Sequence, residues 1–266
     1  MNPVEVIQGH GPIILGLPHA GTYVPDNVRA SLNQRGQELA DTDWHIEKLY
    51  EGLLPGVTTV RANFHRYVID ANRDPSGASL YPGQNTTNLV PFTDFDGLNI
   101  WITRPDEREI ERRRLAFHAP YYVALNVEME RVHAQHGVAI LYDCHSIRSR
   151  IPFLFDGVLP DFNIGTNNGS TCATEIETAV RDLCTKVEDY SSSLNGRFKG
   201  GWTARHYGRP NKNWHAIQME LAQSTYLKSE AAPWIYDEGK SARLRAHLTR
   251  ILSTLANLAL QLGNKS

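Results

Sequence analysis

Four short apolar runs, at residues 12–17, 66–70, 138–143 and 215–221, constrain this chain more than any other feature. Runs this brief, with so few polar interruptions, suit strands buried on both faces, as in a largely parallel sheet between helical layers. Residues 58–62 add a fifth candidate strand. The gaps carry helical spacing. Trp44, Leu49 and Leu53 mark a helix over 43–54. Arg104-Pro105-Asp106-Glu107 opens another, with proline in its first turn and acids at the positive end of the dipole. It runs toward Gly137, with Pro120 as a kink or break. Residues 170–187 read as a helix opened by Ser170 or Thr171. Near the carboxyl terminus Leu244, Leu248, Ile251, Leu252, Leu255 and Leu262 share one face, which reads as core packing. The expectation is one α/β domain over residues 1–266, with a mixed, mostly parallel central sheet flanked by helices. Residues 74–99 and 190–213 read as long irregular segments, which in compact domains are often functional loops.

The runs end in chemistry. Residues 12–17 lead to His19-Ala20-Gly21, residues 138–142 to Asp143-Cys144-His145-Ser146, residues 68–70 to Ala71-Asn72-Arg73-Asp74, and residues 215–219 to Glu220. Open α/β sheets bind ligands beyond the carboxyl ends of their strands. One sheet can therefore gather His19, His145, Glu220 and Arg73 around a single cleft. Either histidine alone reads as a hydrogen-bonded loop residue, whereas two with nearby acids suit a metal site. Asp41 and Asp43, before the 43–54 helix, are rival carboxylate ligands, and an N-cap is the bland alternative for both. Glu220 inside an apolar strand is either salt-bridged to an arginine or a general base with a raised pKa. Asn72, Arg73, Arg205 and His206 are candidates for binding a substrate carboxylate, since arginine offers a planar fork to it. The glycine-rich stretch at 195–202 lacks the order of a phosphate-binding loop and reads as a site loop. Cys144 sits between Asp143 and His145, but strand neighbours point to opposite faces, so it reads as a small buried residue.

Composition excludes some partners. A net charge of −2 over 266 residues gives no ground for nucleic acid or an anionic membrane surface. The amino terminus lacks a basic segment followed by a long apolar one, so no signal peptide is expected. Three scattered cysteines suit a reducing cytoplasm.

Six segments together resemble the N-formylglutamate amidohydrolase family of histidine degradation, which is related to the zinc carboxypeptidases. They are Pro18-His19-Ala20-Gly21-Thr22-Tyr23-Val24-Pro25, Asp41-Thr42-Asp43-Trp44-His45, Val68-Ile69-Asp70-Ala71-Asn72-Arg73-Asp74-Pro75, Asp143-Cys144-His145-Ser146, Gly201-Trp202-Thr203-Ala204-Arg205-His206-Tyr207-Gly208, and His215-Ala216-Ile217-Gln218-Met219-Glu220-Leu221. They occur in order and span roughly residues 12–227. The resemblance implies a phosphorylase/hydrolase-like fold and one divalent metal ion, zinc by ligand type, held by His19, Asp43 and His145. It implies Glu220 as the base, and Asn72 and Arg73 on a substrate carboxylate. The implied reaction is hydrolysis of N-formyl-L-glutamate to formate and glutamate. The carboxypeptidases carry glutamate three residues after their first histidine, and Thr22 stands there in this chain. Three rival readings are a deacylase for another N-acyl amino acid, a non-catalytic binder of an acidic amino acid, and a metal-free cysteine amidase.

Overall fold

The computed structural model describes residues 1–79, 83 and 85–264. Among them seven strands form one sheet in the order β1-β3-β2-β4-β7-β5-β6. These are β1 (Val4–Ile7), β2 (Ile13–Leu17), β3 (Thr58–Ala62), β4 (Ala139–Ile147), β5 (Phe162–Gly165), β6 (Ser192–Leu194) and β7 (Trp214–Ala222). The central strands β3, β2, β4 and β7 run parallel, and so do β5 and β6. β1 on β3 and β5 on β7 are antiparallel. The sheet is therefore mixed and mostly parallel, as the uninterrupted apolar runs predict.

Helices cover both faces. They are α1 (Asp26–Arg29), α2 (Gln34–Gln37), α3 (Ile46–Tyr50), α4 (Glu107–Arg113), α5 (Ala119–His136), α6 (Thr174–Thr185), α7 (Trp202–Tyr207) and α8 (Glu238–Gly263). One core lies between the sheet and α3, α6 and α8, and takes in Ile140, Tyr142, Cys144, Ile217 and Met219. The other lies under α5 and α7, and takes in Ala139, Leu141 and Ala216. Alternation along a strand then decides where the polar residues go. Asp143 and His145 continue the face of Ala139 and Leu141. Gln218 and Glu220 continue the face of Ala216. Cys144 and Met219 point the other way, into the first core. None of the helices among the described residues is long and apolar enough to cross a membrane.

Five local expectations are corrected. Residues 66–70 form buried turns, not a strand: the Val68 N–H donates to His65 O at 2.9 Å. Among the described residues no ladder takes the carbonyls of this stretch. Val68 O accepts from the Arg113 side chain instead, and just beyond it Ala71 O and Arg73 O accept from Tyr122 and His118. A buried apolar run does not distinguish these solutions, because both satisfy the backbone. The helix expected over 43–54 is only α3; His45 before it is left-handed at φ 61°, which frees residues 41–43 to turn inward. Helix α6 starts after Ala173, because the Thr171 hydroxyl is spent on Ala216 O of β7 at 2.8 Å. Pro120 does not end the helical run, since a π-turn at Arg114–His118 joins α4 to α5 just before it. Residues 190–213 carry β6 and α7 as well as loop, while 74–99 is irregular where described; residues 80–82 and 84 lie outside the described set.

Candidate metal centre and active site

The parallel pairing of β2, β4 and β7 brings their carboxyl ends together. β4 pairs with β7 so that His145 faces Glu220 across the ladder, and Gly16 pairs with Asp143. His19 follows β2 by two residues, and its carbonyl accepts the Asp43 N–H at 3.1 Å, drawing the 41–43 turn against it. His19, Asp43 and His145 thereby meet in a buried group whose ligand atoms all lie within 4.8 Å of one another.

Each imidazole is held from behind. His19 Nε2 lies 2.7 Å from Asp70 Oδ1, and His145 Nε2 lies 2.9 Å from Asp143 Oδ2. Carboxylates bonded to the far nitrogen of a histidine fix the ring and raise its basicity, and this is the usual support of a metal ligand. With the ring protons on those nitrogens, the two Nδ1 lone pairs face each other at 3.2 Å. Bare lone pairs at that distance repel, so the arrangement calls for a cation or proton between them. Two nitrogens on one tetrahedral zinc would stand about 3.4 Å apart for bonds of about 2.1 Å. Asp43 Oδ2 completes the group at 3.4 Å from His145 Nδ1 and 3.8 Å from His19 Nδ1. The residues fit a small divalent ion.

The surrounding charges set the three groups apart. Burial opposes charge on His145, but the Asp143 and Asp43 carboxylates overcome it and push its pKa well above the ordinary range. Burial and Arg66 hold His19 below its ordinary value. Burial would raise Asp43, yet Arg66 and the two histidines leave it lowered. Arg66 Nη2 donates to Asp43 Oδ1 at 2.5 Å, and the guanidinium lies over the Phe95 ring at 4.9 Å. The rival acid, Asp41, turns away: its Oδ2 accepts from Tyr67 Oη at 2.8 Å and the Phe95 N–H at 2.9 Å.

Glu220 is 6 % exposed and lacks the arginine partner of its bland reading. Its carboxylate accepts from the Gln218 amide at 3.1 Å. Burial, with Asp43 and Asp143 nearby, raises its pKa to about 7, so it is poised to take up a proton near neutrality. His19, His145, Glu220, Arg66, Arg73 and Arg197 all line one cleft.

Residues 11–227 match the sequence profile of the N-formylglutamate amidohydrolase family. The chain belongs to that family. Among curated relatives, an N-formylglutamate deformylase of Pseudomonas putida is 43% identical over 93% of each chain. One from Pseudomonas aeruginosa is 41% identical over 93% of this chain and 94% of the relative. The crystal structure of an N-formylglutamate amidohydrolase from Ralstonia eutropha JMP134 superposes with a TM-score of 0.81 at 24% identity, covering 98% of this chain and 99% of that one. A gene product from Agrobacterium tumefaciens superposes with a TM-score of 0.72 at 18% identity, covering 98% and 96%. At those identities the two structures speak for the fold alone.

Within this family member the substrate-binding candidates separate. Arg73 and Asn72 line the cleft. Asn72 Oδ1 accepts the Thr203 N–H at 2.9 Å, which fixes the amide with Nδ2 toward the cleft, 3.0 Å from a His145 Nε2 whose proton already goes to Asp143. Arg205 and His206 do not line the cleft. Arg205 Nε donates to Gly200 O, and His206 packs among Trp202, Tyr122 and Tyr207. The sequence reading missed Arg66, Gln218 and Arg197 as cleft residues, and the supporting roles of Asp70 and Asp143. Asp143 could have been found, since it precedes His145 by two residues on a strand and must share its face. Arg66 had no such signal, because its run was taken as a strand.

Cys144 faces the opposite core, and burial with Asp143 holds its thiol well above the ordinary range. Cys144→Ser is therefore expected to keep turnover within about threefold of wild type, since a small buried side chain remains. Steady-state assay of the purified variant checks this, and loss of activity in a folded variant would revive the cysteine amidase.

Proposed function

We propose that this chain is a metal-dependent N-formylglutamate deformylase, hydrolysing N-formyl-L-glutamate to formate and L-glutamate. The observation that carries the reading is the buried His19, Asp43 and His145 group with Glu220 beside it in an arginine-lined cleft. His19, Asp43 and His145 would hold a divalent ion, which would supply Lewis-acid charge for the hydrolysis. Glu220 takes the proton of the attacking water and returns it to the departing amine nitrogen. The Arg66 guanidinium, whose Nε is buried without a partner, is placed to donate to oxygen as negative charge develops there. Arg73 offers a fork to a substrate carboxylate, braced by donating to Thr87 O at 3.0 Å and Thr87 Oγ1 at 2.9 Å. Asn72, held through Oδ1 by the Thr203 N–H, lines the cleft beside Arg73 and offers its Nδ2 protons to the same carboxylate.

Formate release from N-formyl-L-glutamate, followed with metal analysis before and after chelator treatment, tests the reading. The expected result is stoichiometric metal, turnover lost on chelation, and recovery on adding back zinc, cobalt or manganese. Turnover that survives complete metal removal would overturn the metal dependence. Higher kcat/KM on N-acetyl or N-succinyl amino acids would move the chain to the broader deacylase reading.

A further inference from the structure

The helix that crosses behind the cleft changes its winding at one place. α4 ends at Arg113, the π-turn spans Arg114–His118, and α5 resumes at Ala119. The Ala119 N–H donates to Arg114 O, five residues back. In a regular α-helix, residues 113 and 118 would point about 140° apart, at 3.6 residues per turn. One inserted residue in a π-turn brings them to within about 40° of each other. Residues 118 and 122 are four apart in the α-helix that follows, and so already share a face.

The side chains on that aligned face all reach one target. Arg113 Nη1 donates to Val68 O at 3.3 Å, Tyr122 Oη to Ala71 O at 2.9 Å, and His118 Nε2 to Arg73 O at 3.0 Å. The His118 and Tyr122 rings stack at 4.7 Å, which stiffens both donors. The turn they hold carries Asp70, which supports His19, together with Asn72 and Arg73.

We infer that the π-turn at Arg114–His118 is a positioning device for catalysis: it aims Arg113, His118 and Tyr122 at the carbonyls of the 68–73 turn, and His118 thereby fixes where Arg73 meets the substrate carboxylate. The last step rests on the role proposed above for Arg73. Pro120 suits the arrangement, since it has no N–H to give to residue 116 and its ring would strike that carbonyl in a regular helix. The wide turn absorbs the proline and supplies the rotation at once.

The test compares His118→Ala with His118→Gln, which keeps an N–H donor. The readouts are hydrogen–deuterium exchange over 68–73, metal content, and kcat and KM on N-formyl-L-glutamate. His118→Ala is expected to speed exchange in 68–73 and to raise KM roughly 3–10-fold, the effect of one lost hydrogen bond. kcat should stay within about twofold, and His118→Gln should restore both exchange and KM. On an Arg73→Ala background His118→Ala should add little to KM, because the two act in series. A folded His118→Ala variant with wild-type exchange over 68–73, or a glutamine variant that restores nothing, overturns the inference. Should His118→Ala fail to fold, Tyr122→Phe removes a single hydroxyl and reads the same turn, and unchanged exchange there overturns it equally. Should Arg73→Ala leave KM unaltered, the carboxylate role of Arg73 fails on its own, while exchange over 68–73 still decides whether the helix holds the turn.

Discussion

Glu220→Gln is expected to lower kcat on N-formyl-L-glutamate by roughly 10²–10⁴-fold, the usual contribution of a positioned general base. Metal content per chain should not change. The carboxylate sits opposite His145 in the β4–β7 ladder and, among the described residues, accepts an amide hydrogen bond from Gln218. Glutamine preserves its shape and volume but cannot take a proton, so folding and ion binding should survive while proton transfer does not. KM should move little, since no carboxylate recognition is assigned to Glu220. Stopped or steady-state assays with metal analysis on the same sample check all three. A variant with near-wild-type kcat would remove Glu220 from the mechanism. It would also favour a binding protein if the wild type proved equally slow.

His145→Ala is expected to act on both function and stability. The imidazole offers Nδ1 to the shared centre and Nε2 to Asp143. Without it one of the three proposed ligands is gone, and stoichiometric metal and measurable turnover should both be lost. The buried Asp143 and Asp43 carboxylates also lose a cationic neighbour, and removing one partner of a buried charge pair typically costs about 3–5 kcal/mol. Denaturant unfolding should therefore show a lower midpoint than that of chelated wild type, which loses the ion but keeps the imidazole. Equal stability of the variant and the chelated wild type would mean that His145 acts only as a ligand.

The central strands β2, β3, β4 and β7, and the polar residues that end them, were legible in the sequence for one reason, whereas β1, β5 and β6 were not foreseen. Alternation and run length act locally, and β4 and β7 are buried on both faces, so Asp143, His145 and Glu220 stood out as polar residues among apolar ones. The choice of Asp43 over Asp41 was not legible locally. It depends on the left-handed His45, and on Tyr67 and Phe95 claiming Asp41, contacts 26 and 54 residues away. The 66–70 run misled because local turn bonds and a side chain on a distant helix, not a neighbouring strand, take carbonyls such as Asp70 O and Val68 O. Arg205 and His206 lie near the cleft in sequence, after Gly201 and Trp202, but α7 winds them away from it. Pro120 did signal an irregularity, yet proline alone does not say whether a helix breaks or widens.

The three candidate ligands and Glu220 come from β2, the turn before α3, β4 and β7, in segments far apart along the polypeptide. No fragment short of the docked seventh strand contains all four. An ion captured by His19, Asp43 and His145 binds only the folded chain, so its binding free energy adds to stability by mass action, about 2.7 kcal/mol at a hundredfold excess over Kd. Loading would thus be coupled to the docking of β2, β4 and the turn before α3, while Glu220 arrives only with β7: chains in which those segments are apart would compete poorly for scarce metal, and the cell's free-metal level would bear directly on how long each molecule persists.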